Sequence, residues 1–154
     1  MNTLQFKFVD QTLSQDDKNI LSPKQKSTLA SGFDLASAHK EDVIVKPNTR
    51  LLISTGIAIS LAPGFEGQIR SRSGLALNHG IVVLNSPGTI DADYRGEIKV
   101  LLANFSSEDF LISFGMRIAQ LVIMRVYAPM VMEVRHLDES ERGEHGFGST
   151  GLLT

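Results

Sequence analysis

The chain contains no cysteine in its 154 residues. That excludes disulfides, thiolate nucleophiles and zinc sites built on sulfur, and it fits a reducing compartment, so the cytoplasm is the expected location. No apolar run approaches the roughly 20 residues of a membrane-spanning helix, so no integral membrane protein is expected. Met1 to Lys7 alternate polar and apolar side chains without a continuous apolar stretch or a small-residue cleavage site, and no secretory signal is expected. Excess charge is missing as well. With 15 Lys and Arg against 17 Asp and Glu, the net charge is -2, and no basic stripe is visible, so neither nucleic acid nor a membrane is an expected partner. A small anion remains open, because it needs only a few arginines and backbone amides at one point. The four histidines, His39, His79, His136 and His145, are scattered and form no HExxH or similar ligand spacing. Any metal should therefore be a hard cation held by oxygen, most simply magnesium carried on a polyphosphate.

What is present is an ordinary globular composition, 42% hydrophobic and 21% charged, in a length that suits one domain. Short runs rich in Val, Ile and Leu, bounded by Gly, Pro, Asn and Ser, predict strands at 4–8, 43–46, 51–55, 57–61, 68–70, 81–84, 97–104, 118–126 and 131–135. Many short strands at close spacing predict an all-β barrel or sandwich. One short helix is expected from Ser73 to Gly80, with Ser73 as N-cap and Gly80 as C-terminal stop. The polar stretch 11–30 reads as a surface loop. The segment from Arg142 onward holds Gly143, Gly146, Gly148 and Gly151, too many glycines to order without something to bind.

Five segments are polar or glycine-rich in ways that a barrel core does not require. Ser31 to Ala38 carries a single acid, Asp34, which on this segment alone reads as an ordinary loop carboxylate. Arg70-Ser71-Arg72-Ser73-Gly74 leads into the expected helix, and arginine beside unpaired helical N–H groups suits a phosphate, although a solvated strand end reads the same way. Leu84 to Glu97 contains Pro87-Gly88, a type II turn signal, and predicts a β-hairpin. If Ile90 to Tyr94 is extended, Asp91 and Asp93 share a face and Tyr94 points the other way; a plain polar turn is the alternative. Gly115 to Ile123 is an apolar strand interrupted by Gln120, whose amide must find partners, structural or catalytic. Arg142 to Gly151 offers glycine amides, Ser149, Thr150 and a guanidinium to an anion, unless it is simply a flexible tail. It lacks the lysine of a Walker A loop, so a P-loop NTPase is not expected.

In this order and spacing, from Ser31 to Gly151, the five segments resemble the five signature motifs of the trimeric dUTPase family. The resemblance implies a jelly-roll-like β-barrel over residues 1–141, a tail at 142–154 that closes over the site, and a homotrimer whose sites are shared between subunits. It implies hydrolysis of dUTP to dUMP and pyrophosphate with Mg2+, which removes dUTP and supplies dUMP for thymidylate synthesis. Position by position, it makes Asp91 the base that activates the attacking water and Gln120 a phosphate or water ligand. Arg72, Ser73 and Gly74 match the grip on the α and β phosphates. Asn85, Thr89, Ile90 and Lys99 match contacts to uracil, and Tyr94 the residue beneath the sugar. Asp34 matches an acid that holds magnesium through water. Arg142, Gly148, Ser149 and Thr150 match a clasp on the γ-phosphate, and Phe147 a cover for the base. Ser31 stands where alanine is more usual. The alternatives are a dCTP deaminase-related enzyme and a nucleotide-sensing regulatory module.

Overall fold

A computed structural model describes residues 3–146 of the chain. Within them the β-rich runs form eleven strands: β1 (Gln5–Phe8), β2 (Phe33–Ala36), β3 (Val43–Val45), β4 (Arg50–Ser54), β5 (Ile57–Ser60), β6 (Phe65–Arg70), β7 (Ile81–Val83), β8 (Gly88–Ile90), β9 (Lys99–Asn104), β10 (Phe110–Ile112) and β11 (Arg117–Arg125). Two helices accompany them, α1 (Gln15–Leu21) before β2 and α2 (Ser73–His79) between β6 and β7.

The strands pair antiparallel in four ladders, β2-β11-β6-β8, β4-β9-β7, β1-β5 and β10-β3. Every ladder sends side chains into one core: Leu35, Ile69 and Leu121 from the first, Ile53, Val83, Val100 and Leu102 from the second, Ile57 and Ile59 from β5, Val45 and Ile112 from β3 and β10. Side chains of this size stabilise by roughly 1.5 to 3 kcal/mol each when fully buried, and their convergence holds the ladders face to face in a jelly-roll-like arrangement. The ladders do not join into one closed cylinder. Asn104 ties them together from inside: fully buried, it donates through Nδ2 to the Val45 and Glu108 carbonyls at 2.8 and 2.7 Å and accepts from the Ser106 N–H and Oγ through Oδ1.

Several sequence expectations are corrected. The stretch 11–30 is not all loop, because Ser14 caps α1 by accepting from the Asp17 N–H, and Leu21 inserts into the interior. Lys24 then bridges to Asp34. The fold thus has two short helices rather than one. Residues 131–135 form no strand; they have no ladder to join in one chain, and Met130, Val131 and Met132 stay exposed. Strands β2, β8 and β10 were not predicted; β2 and β8 lie inside segments read as polar or turn-forming, and β10 follows the polar run Ser106 to Asp109. Among the described residues, no helix is long and apolar enough to cross a membrane.

Candidate active site

Four of the five sequence segments meet on one sheet, the β2-β11-β6-β8 ladder. Asp34 on β2 faces Gln120 on β11, and Gln120 faces Arg70 on β6, so three polar positions line one cross-strand row. Beyond Arg70 the chain stays extended through Arg72 before α2 begins. Ser73 is the first helical residue, not the N-cap; the cap position belongs to Arg72 (φ -87°, ψ 125°), which makes no side-chain capping bond. Ser71 is not available to cap either, since its Oγ accepts from the Val83 N–H at 2.8 Å and pins the end of β6 to β7. Gly80 does close α2 as expected, in the left-handed region (φ 64°, ψ 18°), with its N–H turned back to helical carbonyls.

The amide of Gln120 finds its partner in this segment, donating to the Ser71 carbonyl at 3.0 Å. Gly32 keeps room for it: a Cβ there would stand 3.0 Å from Gln120 Oε1 and 3.2 Å from the Leu121 carbonyl oxygen. Beside Gln120 lies a charged cluster. Arg117 Nη1 donates to Asp34 Oδ2 at 2.7 Å, Arg72 Nε stands 3.5 Å from Asp34 Oδ1, and Arg72 Nη1 donates to the Arg117 carbonyl at 2.8 Å. Two guanidiniums against one carboxylate leave the cluster net positive, which suits a polyanion. Both oxygens of Asp34 already face cations. Among the described residues no group of three or more His, Asp or Glu is placed to hold a metal.

The third segment departs from its sequence reading. β7 pairs with β9 and β8 with β6, so 81–90 is a corner between two sheets and not a hairpin. The Ser86-Pro87 peptide is cis, and Gly88 is not at positive φ, which a type II turn would require. Nor is 90–94 extended: the Tyr94 N–H bonds back to the Asp91 carbonyl at 3.1 Å, and Arg95 Nη1 donates to the carbonyls of Ala92 and Tyr94. The turn places Asp91 and Tyr94 on the same wall. They line a cavity of about 330 Å³ together with Leu52, Thr89, Ile90, Glu97 and Lys99. A smaller recess of about 80 Å³ next to it is lined by Asn85, Gly88, Thr89, Ile90 and Lys99, among others.

Glu97 organises that wall, and sequence reading missed it because an acid after a glycine turn looks like any solvated residue. Its backbone carbonyl accepts from the Tyr94 hydroxyl at 3.0 Å, its Oε1 from the Gly56 N–H at 2.9 Å, and its Oε2 lies 3.8 Å from Lys99 Nζ. Arg117 was missed for a similar reason, being the exposed first residue of a strand.

The structure does not bring these two groups together within one chain. Ile90, beside Asp91, pairs with Gly67, which is three residues and about 10 Å along β6 from Arg70. Among the described residues, no hydrogen bond or ion pair links Asp91 to Arg72, Ser73, Gly74 or Gln120. Arg142 begins a tight turn, with its Nε donating to the His145 carbonyl at 2.9 Å and Gly143 at φ 54°. Phe147, Gly148, Ser149 and Thr150 lie outside the described residues. Of the histidines, His39 Nε2 accepts from the Ser54 N–H at 3.3 Å, and the His79 ring lies 5.2 Å from that of Phe110.

Known proteins share this sequence and fold. Helicobacter pylori (strain Shi470) has a deoxyuridine 5'-triphosphate nucleotidohydrolase that is 54% identical over 134 residues, 87% of this chain and 91% of the relative. The dUTPase of Staphylococcus bacteriophage 80alpha, solved with dUPNHPP, superposes with a TM-score of 0.81 at 29% identity, covering 99% of this chain and all of that one. A mutant dUTPase from phage phi11 of S. aureus, described as revealing how a structural Mg(II) ion is coordinated, superposes at 0.74 with 25% identity over 88% of this chain and 98% of that one. A dUTPase family model matches residues 18–151, from inside α1 through all five polar segments, and the chain belongs to the dUTPase family.

Proposed function

We propose that the chain hydrolyses dUTP to dUMP and pyrophosphate, with Asp91 as general base. One observation carries the assignment of the base. Asp91 is an exposed carboxylate on the wall of a cavity that Thr89, Ile90 and Lys99 also line, and these three residues line the adjoining recess together with Asn85. In this reading the backbone of β8 and the Asn85 amide take the uracil edge, and the Tyr94 ring lies beneath the deoxyribose. Asp91 removes a proton from a water, whose oxygen bonds to the α-phosphorus as the bond to the bridging oxygen breaks and pyrophosphate leaves. Arg72, Ser73, Gly74 and Gln120 hold the phosphates. In the same reading Arg142, Gly148, Ser149 and Thr150 serve the γ-phosphate and Phe147 the base.

Magnesium enters as the counter-ion of the triphosphate and supplies neutralisation of its charge. Asp34 would hold that cation through water, beside the two arginines that would take the phosphates. The assembly is a homotrimer with shared sites. Two features support it: the separation of the Asp91 wall from the Arg72 cluster within one chain, and the exposed apolar arm Tyr127, Met130, Val131, Met132 and Leu137, which calls for cover.

A panel of dUTP, dTTP, dCTP and UTP, with products identified, tests the reaction. Pyrophosphate from dUTP alone is expected; release of single phosphate would contradict attack at the α-phosphorus, and ammonia from dCTP would point to a deaminase. Mixing Asp91→Asn subunits with subunits truncated before Arg142 should recover activity through hybrid sites, and a verified mixed assembly without recovery would refute sharing.

A further inference from the structure

β11 does not alternate cleanly. Gln120 lies opposite Asp34 while Arg117 lies opposite Ala36, so one extra residue is absorbed between Arg117 and Ala119, with Ile118 and Ala119 both fully buried. In a regular strand, residues three apart point to opposite faces; the bulge reverses that relation and delivers Arg117 to the face that carries Asp34 and Gln120. There it makes the shortest ion pair of the cluster, 2.7 Å to Asp34 Oδ2, and its carbonyl accepts from Arg72 Nη1.

We infer that Arg117 is a positioning residue for Arg72, acting through Asp34 and through its own backbone carbonyl; the inference rests on the reading of Arg72 as a phosphate ligand. Arg117 occupies one carboxylate oxygen, so Asp34 meets Arg72 only at Nε, at 3.5 Å, and cannot clamp its guanidinium with two oxygens. Arg72 is then steered by two acceptors, Asp34 at its Nε and the Arg117 carbonyl at its Nη1. Without Arg117, Asp34 turns both oxygens to Arg72, forms the bidentate pair that carboxylate and guanidinium favour, and withdraws that charge from the nucleotide.

The test measures binding of the non-hydrolysable imido analogue of dUTP in EDTA, together with dUTP turnover in magnesium. Arg117→Gln is expected to weaken analogue binding and raise KM about tenfold, with kcat changed less than about threefold and affinity for deoxyuridine, which has no phosphate, unchanged. Arg117→Lys should recover part of the loss. In Asp34→Asn/Arg117→Gln the competing carboxylate is gone, so the double variant should bind the analogue no worse than Arg117→Gln alone. Wild-type binding by Arg117→Gln, equal loss for deoxyuridine, or multiplied losses in the double variant would overturn the inference. Wild-type protein that releases no pyrophosphate from dUTP would refute the enzymatic reading instead, and the analogue measurement separates the two.

Discussion

Gly96→Ala probes how the Asp91 wall selects its substrate. Gly96 is not at positive φ, so alanine meets no backbone strain there, and the consequence comes from contact alone. An added Cβ would lie 2.6 Å from Tyr94 Cζ and 3.0 Å from Cε2, and closer still to the hydroxyl oxygen. Ordinary carbon contacts begin near 3.5 Å, so the ring has to move by about 1 Å. That motion breaks the 3.0 Å bond from the Tyr94 hydroxyl to the Glu97 carbonyl. A hydrogen bond of this kind is worth about 1 kcal/mol net. Adding the lost packing of a ring that is 43% exposed brings the cost of holding Tyr94 in place to about 1 to 2 kcal/mol. Carried into the transition state, this is about a 5- to 30-fold fall in kcat/KM for dUTP. UTP should lose less, because the displaced ring makes room for a 2'-hydroxyl. Pyrophosphate release from both nucleotides measures the effect, with Tyr94→Phe as the control that removes the hydroxyl and keeps the ring. A folded Gly96→Ala protein with unchanged kcat/KM, or with equal losses on dUTP and UTP, would refute the reasoning.

Gly32→Ala should push Gln120 off the Ser71 carbonyl, since the new Cβ would press on Gln120 Oε1 and the Leu121 backbone; turnover should drop about tenfold at saturating dUTP, as read by steady-state kinetics. Asp91→Asn should still bind the imido analogue while losing about 10²- to 10⁴-fold in kcat, and an unchanged rate would remove Asp91 as the base. Asn104→Ala should leave the buried Val45 carbonyl without a donor and cost about 2 kcal/mol in urea denaturation, with kcat intact wherever the protein is folded. The Lys40 ammonium hydrogen-bonded to Asp17 holds that carboxyl below its ordinary 3.8. A carboxyl depressed in the folded state stabilises above its unfolded pKa and loses that contribution as pH falls through the folded value, so Asp17→Asn should flatten the fall in Tm below about pH 4.

Local chemistry was legible wherever it is carried by neighbouring residues. The long strands β9 and β11, the αL stop at Gly80 and the order of the five polar segments all follow from residue type and spacing along the chain. What spacing could not reveal depends on partners distant in sequence. Whether 131–135 is a strand depends on finding a ladder, and whether Asp34 is a loop acid or an ion-pair hub depends on Arg117, 83 residues away. The turn at 91–94 is closed by Arg95 and by the Tyr94 hydroxyl bond, and these override the alternation that would have put Asp91 and Tyr94 on opposite faces. The bulge before Ala119 is the sharpest case, because a single unpaired residue reverses which side chains share a face and only the register with β2 reveals it. The amino acids by themselves therefore determined which groups are available for phosphate, base and water, since composition and order along the chain are enough for that. Tertiary structure alone decided which of them meet, gathering Asp34, Arg72, Arg117 and Gln120 into one cluster and holding Asp91 apart, because strand pairing and burial act across the whole chain.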